Sequence, residues 1–300
     1  MAANQQIIIN PRGRFANQMF QLMLALSIKV RLGKDIKIAG YNLDDWGLRN
    51  DEKLTVNEKH ITLRWNNFNL SQAVYLLENE IINTVIIDGW GMRLENFEHP
   101  KTYADLFLTN ASYQTIQDDE ILINIRCEDI LSGWHQLYYP LPFAFYRKVI
   151  AVTGLKPVFM GQLESNLYTD DLRRNFPDAK FLAQQSIIED FQTIRMAKHI
   201  AISISSFAWL ASWISESAET IHYPICGLLN PSLGAMLMPA GDQRYKFYDV
   251  PFLAKAQRNE DKLIDWVNFN HQVNEVPSQV AQKSVRLCMY GNLDSTGKGS

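Results

Sequence analysis

The chain has little cysteine. Cys127, Cys226 and Cys288 are its only three in 300 residues, and no two form a C-x-x-C pair. That excludes a disulfide framework and points to a reducing compartment. The six histidines, His60, His99, His135, His199, His222 and His271, show neither H-x-x-x-H nor H-x-x-E spacing, so a metal centre is not expected. There is no G-x-G-x-x-G fingerprint, no Walker loop and no G-x-S-x-G elbow. No run reaches the roughly 18 apolar residues of a membrane span. The nearest, Ile200 to Ile214, is interrupted by four serines. Charge is almost balanced, with 29 Lys+Arg against 32 Asp+Glu. This gives no broad basic field for nucleic acid and no polybasic membrane patch. Met1 to Gln6 is polar, and Ile7-Ile8-Ile9 is too short for a signal-peptide core. The expectation is a soluble, cytoplasmic protein.

Apolar residues make up 47% and charged residues 20%, the balance of a globular chain. Short β-branched runs alternate with helical patterns. Strands are expected at Gln6–Asn10, Asp35–Ile38, Thr84–Asp88, Ile121–Ile125, Lys156–Met160, Ala179–Leu182, Ile200–Ile204 and Glu219–His222. Helices are expected over Asn17–Leu32 (apolar on nearly every side, closing at Gly33), Leu70–Ile82, Leu141–Val152 and from Ser206 to about Ser215. Ser186-Ile187-Ile188-Glu189 reads as a capping box opening a helix to about Lys198. Strands separated by helices of this length predict parallel sheets built from βαβ units. The polar stretch Thr109 to Glu120 marks the best boundary. The expected division is residues 1–117, residues 118–270 and a polar tail over 271–300.

Three segments join a strand end to a helix start, where an open α/β sheet binds its ligands. In the first, Gly13-Arg14-Phe15-Ala16-Asn17-Gln18-Met19-Phe20-Gln21, Gly13 permits a tight turn. Asn17 there either caps the helix or faces a ligand. In the second, Asn124 and Arg126 lie two apart at the end of an apolar strand, so they share a face. An always-charged guanidinium there needs an anionic partner. A pyrophosphate is one candidate, and a structural ion pair with Glu128 or Asp129 is the other. The third runs from Ser203 through Ser205, Ser206 and Phe207 to Trp213. Its serines and free helix N–H groups either cradle a phosphate or simply cap the helix. His135, soon after the Arg126 strand, is a candidate general base.

In this order the segments resemble bacterial α-1,2-fucosyltransferases of glycosyltransferase family 11. The family's G-G-L-G-N-Q-M-F-Q is similar to the stretch Gly13 to Gln21, and its H-x-R-x-x-D to Asn124 through Asp129. Its S-N-S-S-F-S-W-W-A-A-W is similar to Ser203 through Trp213. Asp88-Gly89-Trp90 with Glu95-Asn96-Phe97 resembles its D-G-Y/F-Q-S-x-x-Y-F stretch, and Ile188 through His199 its E-D-L…K-H segment. The likeness spans about residues 7 to 270. It departs at Asn124, where the family has histidine. It departs again at Cys127-Glu128, where the family has Arg-Gly, and at Ile204, where it has Asn.

The resemblance implies a GT-B fold, in which two Rossmann-like domains with parallel sheets face a cleft. The first would be the acceptor side and the second would hold the nucleotide sugar. It implies inverting, metal-independent transfer of L-fucose from GDP-fucose to a glycan hydroxyl in α-1,2 linkage, with no cofactor beyond the donor substrate. Arg126, Asp129 and His135 would carry the chemistry, with Glu95 a further candidate base. Gly13, Asn17, Gln18, Asn124, Arg126, Ser205, Ser206 and Phe207 would bind the donor. The partners would be a nucleotide sugar and a glycan acceptor, with no nucleic acid. A lipid-linked acceptor would allow peripheral membrane contact. Two alternatives stand beside this reading. One is a relative that binds nucleotide or sugar without turnover, because asparagine at 124 cannot transfer a proton. The other is an enzyme using another nucleotide sugar or a phosphate ester.

Overall fold

The computed structural model describes residues 5–56, 58–66, 68–131, 136–233, 235–253 and 260–290, with Asp129, Glu260 and Tyr290 described in backbone alone. The chain is α/β and divides into two compact units, Met1–Thr109 and Asn110–Ser300.

Unit 1 contains β1 (Gln6–Ile9), α1 (Phe15–Leu32), β2 (Lys37–Ala39), β3 (Tyr41–Leu43), β4 (Leu48–Asn50), β5 (His60–Trp65), α2 (Leu70–Glu78), β6 (Thr84–Gly89) and the one-turn α3 (Lys101–Ala104). Four strands form a wholly parallel sheet in the order β2-β1-β6-β5, and β3-β4 is a separate antiparallel pair. The apolar run of α1 buries Met19, Phe20, Met23, Leu24 and Ile28 completely. Its all-round hydrophobicity is that of a helix enclosed by its own unit. Fully buried Gln21 fastens the loop after β1. Its Oε1 accepts the Arg12 N–H at 2.8 Å, and its Nε2 donates to the Asn10 carbonyl at 2.8 Å.

Unit 2 contains β7 (Glu120–Ile125), α4 (Glu128–Leu131), α5 (Phe143–Thr153), β8 (Lys156–Gly161), α6 (Leu167–Asn175), β9 (Lys180–Phe181), α7 (Ile187–Met196), β10 (His199–Ala201), α8 (Ser206–Trp213), β11 (Thr220–Ile225), β12 (Tyr245–Asp249), α9 (Glu260–Asn268), β13 (Asn274–Val276) and α10 (Ser278–Tyr290). Its sheet runs β13-β12-β11-β10-β7-β8-β9 and is parallel except for β13. Counted from β7, the parallel strands stand in the order 3-2-1-4-5-6, the doubly wound Rossmann order. Right-handed crossovers place α5 and α6 on one face and α7 and α8 on the other. In agreement, α9 packs on α5 and α6, while α7 packs on α8. β7 lies at the centre. Ile121, Leu122, Ile123 and Ile125 are all buried, as expected of a strand covered on both faces.

Two features differ from the sequence reading. Residues 110–117 group with unit 2, because the Gln114 N–H donates to Thr193 Oγ1 at 3.0 Å and its side chain to the Ala183 carbonyl at 3.2 Å. The stretch from residue 271 is not merely a polar tail. β13 pairs with β12, and α10 follows with Ala281 buried.

Candidate functional site

In a Rossmann-ordered sheet the strand order reverses between its first and fourth strands, and the crevice beyond their carboxyl ends is the usual ligand position. In unit 2 those strands are β7 and β10, which are paired through Leu122 and Ile123 with Ile200 and Ala201. Asn124 and Arg126 close β7, and Ser203 to Ser206 lead from β10 into α8. The second and third of the sequence segments therefore meet.

Asn124 is only 5% exposed, and its Oδ1 accepts from Ser203 Oγ at 2.6 Å. Arg126 is half-buried and its Nη1 donates to the Ile204 carbonyl at 3.3 Å. Its guanidinium carbon lies 4.4 Å from the centre of the Tyr138 ring, within cation–π range. Ser205 is the N-cap of α8, its Oγ accepting from the Ala208 N–H at 3.4 Å. Ser206 opens the helix and is half-buried. Phe207 packs edge-on against Phe191 of α7, 5.3 Å between ring centres. A guanidinium, a capped helix start with its positive dipole end, and two side chains linked by a hydrogen bond thus sit side by side. An oxyanion there would meet charge-assisted N–H donors.

Neighbouring contacts set this arrangement. Gly161, at the end of β8, takes φ +109°, and a side chain there would strike the Ile125 carbonyl and approach Asn124 Nδ2. Gln162 Oε1 accepts the N–H groups of Cys127 at 2.9 Å and Glu128 at 3.1 Å, and its Nε2 donates to Glu128 Oε2 at 3.1 Å. The chain is therefore turned away from β7 directly after Arg126. Asp129 lies on α4, with its side chain outside the described residues. His135 lies outside them altogether.

In unit 1, Gly13 takes φ +71°, and the Gln18 amide donates to its carbonyl at 3.2 Å. Asn17 is not the cap of α1. Arg14 holds that position without a side-chain capping bond, and Asn17 stands at the third helical residue. Of the two alternatives for Asn17, capping is ruled out because the helix begins two residues earlier than its apolar pattern. Glu95 is already engaged, accepting from Arg93 Nε at 2.6 Å.

The sequence reading missed Tyr138 and Gly161, and met Asp190 only as part of the segment Ile188 through His199, with no role of its own. Asp190 directly precedes Phe191, and burial raises its carboxyl to about 6. Its place after Glu189 of the capping box fixes it on α7 but says nothing of its burial. Among the described residues, no group of three or more His, Cys, Asp or Glu could hold a metal ion. No helix among them is long and apolar enough to cross a membrane. No model of a known protein family matches the chain, and comparison with curated proteins gives no match.

Proposed function

We propose that the protein is an inverting glycosyltransferase that moves a sugar from a nucleotide-sugar donor to a glycan hydroxyl. L-Fucose from GDP-fucose in α-1,2 linkage is the leading assignment. Units 1 and 2 would be the acceptor-side and nucleotide-sugar domains of a GT-B enzyme. The observation that carries this reading is the meeting of Arg126 with the start of α8 at the point where the sheet of unit 2 reverses its order. The acceptor oxygen would attack the anomeric carbon as the bond to the diphosphate breaks. Negative charge grows on that diphosphate, so donors aimed at it act mainly on the transition state. Arg126 and the N–H groups following Ser205 would supply them without a metal. Asp129 or His135 would take the acceptor proton. Glu95, held by Arg93, is the weaker candidate.

A second reading is binding without turnover. One observation favours it. Where the fucosyltransferase pattern carries a titratable histidine, Asn124 is buried and tied to Ser203.

A thermal-shift panel of GDP, UDP, CDP, dTDP and GDP-fucose, with and without EDTA, tests both readings on the native chain and on Arg126→Ala. A ligand at about 100 times its Kd adds about 2.7 kcal/mol to stability. Stabilisation of the native chain by GDP and GDP-fucose, but not of the variant, is the expected result. Stabilisation by another nucleotide alone reassigns the donor. No stabilisation by any of the five overturns the transferase reading and leaves the second only as binding of a free sugar. GDP-fucose binding without hydrolysis or transfer to any glycan tested selects the second.

A further inference from the structure

At the carboxyl ends of β5 and β6 in unit 1, Trp65 and Trp90 stand edge to face, with ring centres 5.9 Å apart. Trp65 is 67% exposed. Its backbone takes φ +57°, left-handed and uncommon for a bulky residue, so it is strained. The surroundings enforce that conformation. The Trp65 carbonyl accepts the N–H groups of Trp90 at 3.0 Å and Gly91 at 2.9 Å. Gly89 lies opposite Trp65 in the sheet register, and any side chain at 89 would collide with the Trp65 backbone. A strained, tightly held backbone thus presents a large aromatic ring to solvent rather than to the core.

Polar groups adjoin the tryptophan pair through Arg12, whose carbonyl accepts from Trp90 Nε1. Asp88 is paired with Arg12 Nε at 2.7 Å and lies 4.0 Å from Arg64 Nε. The two arginine side chains are 59% and 70% exposed, while the aspartate is 16% exposed. Arg12 is itself pinned, because its carbonyl accepts from Trp90 Nε1 at 3.2 Å and its N–H donates to Gln21. The patch therefore holds an aromatic face, one carboxylate acceptor and two guanidinium donors, with a net charge of one positive.

We infer that this patch is a saccharide-binding platform that takes a sugar ring bearing a carboxylate, such as a uronic or sialic residue. A pyranose offers a face of polarised C–H bonds that suits the negative face of an indole. Its hydroxyls need both an acceptor and donors, which Asp88 and Arg12 provide. Among the described residues Arg64 has only its long contact to Asp88, and it meets the carboxylate in fork geometry. A free phosphate would gain nothing from the tryptophans, and a neutral sugar would leave the second guanidinium unused. The inference concerns unit 1 alone and stands whether or not a donor binds in unit 2.

The test is an NMR titration of the full chain labelled with nitrogen-15 at the tryptophan indoles. The ligands are glucuronic acid, N-acetylneuraminic acid, glucose, acetate and GDP. Trp65→Gly assigns one signal and accepts φ +57° without strain, so the fold survives the change. The acidic sugars should move the Trp65 and Trp90 signals. Their binding, read at Trp90, should weaken about three- to tenfold in Trp65→Gly. Arg64→Ala should weaken the acidic sugars and bring them level with glucose. Equal movement by acetate alone would overturn the platform, as would binding indifferent to Trp65→Gly. Glucose binding as tightly as glucuronic acid would overturn the carboxylate assignment. GDP should leave both signals in place. A failure of GDP to bind anywhere bears only on the proposed transferase reading.

Discussion

Ser203 donates a 2.6 Å hydrogen bond to Asn124 across the central strand pair of the second sheet, linking two buried side chains 79 residues apart in sequence. Removing the acceptor by Asn124→Ala leaves the Ser203 hydroxyl buried and is expected to cost about 1–3 kcal/mol. Adding Ser203→Ala to that variant should cost less than the sum of the two single changes, because the pair acts as one unit. Urea denaturation of the three variants measures this. Strictly additive losses would show that the bond contributes nothing.

Gly161→Ala places a side chain against the Ile125 carbonyl at a φ of +109°. The expected loss is at least about 1–3 kcal/mol. In a domain of this size each kcal/mol lowers Tm by ~2–4 °C. Because Ile125 adjoins Arg126, nucleotide binding should weaken in the same variant. Calorimetry and the nucleotide panel read the two effects separately. An unchanged Tm would refute the steric account.

Acid should destabilise the protein through His222. Burial, with His199 and Lys246 adding to it, lowers this imidazole to about 4. Its Nδ1 shares a 2.9 Å hydrogen bond with the Tyr248 hydroxyl. The unfolded chain takes up the proton first, near pH 6.5, so the contribution is complete above that value and is lost as pH falls toward about 4. The full span is on the order of 3 kcal/mol. His222→Gln keeps a partner for Tyr248 and should flatten this part of the stability–pH curve. A curve of unchanged slope between those values would disprove the assignment.

Asp190 works in the opposite sense. Its carboxyl is raised to about 6, chiefly by burial, so the folded protein holds this proton more tightly than the unfolded chain. Stability contributed here falls as pH rises from about 4 to 6 and is level above that. Asp190→Asn should therefore be the more stable protein at pH 7, with the advantage vanishing near pH 4. Denaturation midpoints across that range check the prediction, and a variant less stable than the parent at pH 7 would contradict it.

Every apolar run expected to be a strand is one, because β-branched clusters bounded by polar turns leave few other solutions. The strands that escaped notice have mixed faces. β5 reads His-Ile-Thr-Leu-Arg-Trp at a sheet edge, and β12 sets Tyr245, Phe247 and Tyr248 among Lys246 and Asp249. α6 is polar along much of its length and is opened by a capping box of Asn166 with Thr169, outside the Ser-x-x-Glu pattern. The candidate site was legible where its residues sat at a strand end or a helix start, as with Arg126 and Ser205. It was illegible where it depended on residues distant in sequence, as with Ser203 on Asn124. Tyr138, whose ring lies against the Arg126 guanidinium, follows no local pattern at all.

The unequal ends of the second sheet have a consequence for solubility. At one margin the strand is two residues long and begins with Lys180, too short and too charged to recruit another chain. At the other margin, aromatic-rich β12 is covered by antiparallel β13. Without residues 274–276 its unpaired amides and carbonyls would lie open beside Phe247 and Tyr248, inviting edge-to-edge growth. The C-terminal segment thus works as a guard rail. Chains shortened before Asn274 should assemble into higher-order species on size-exclusion chromatography, and chains shortened only after Tyr290 should not.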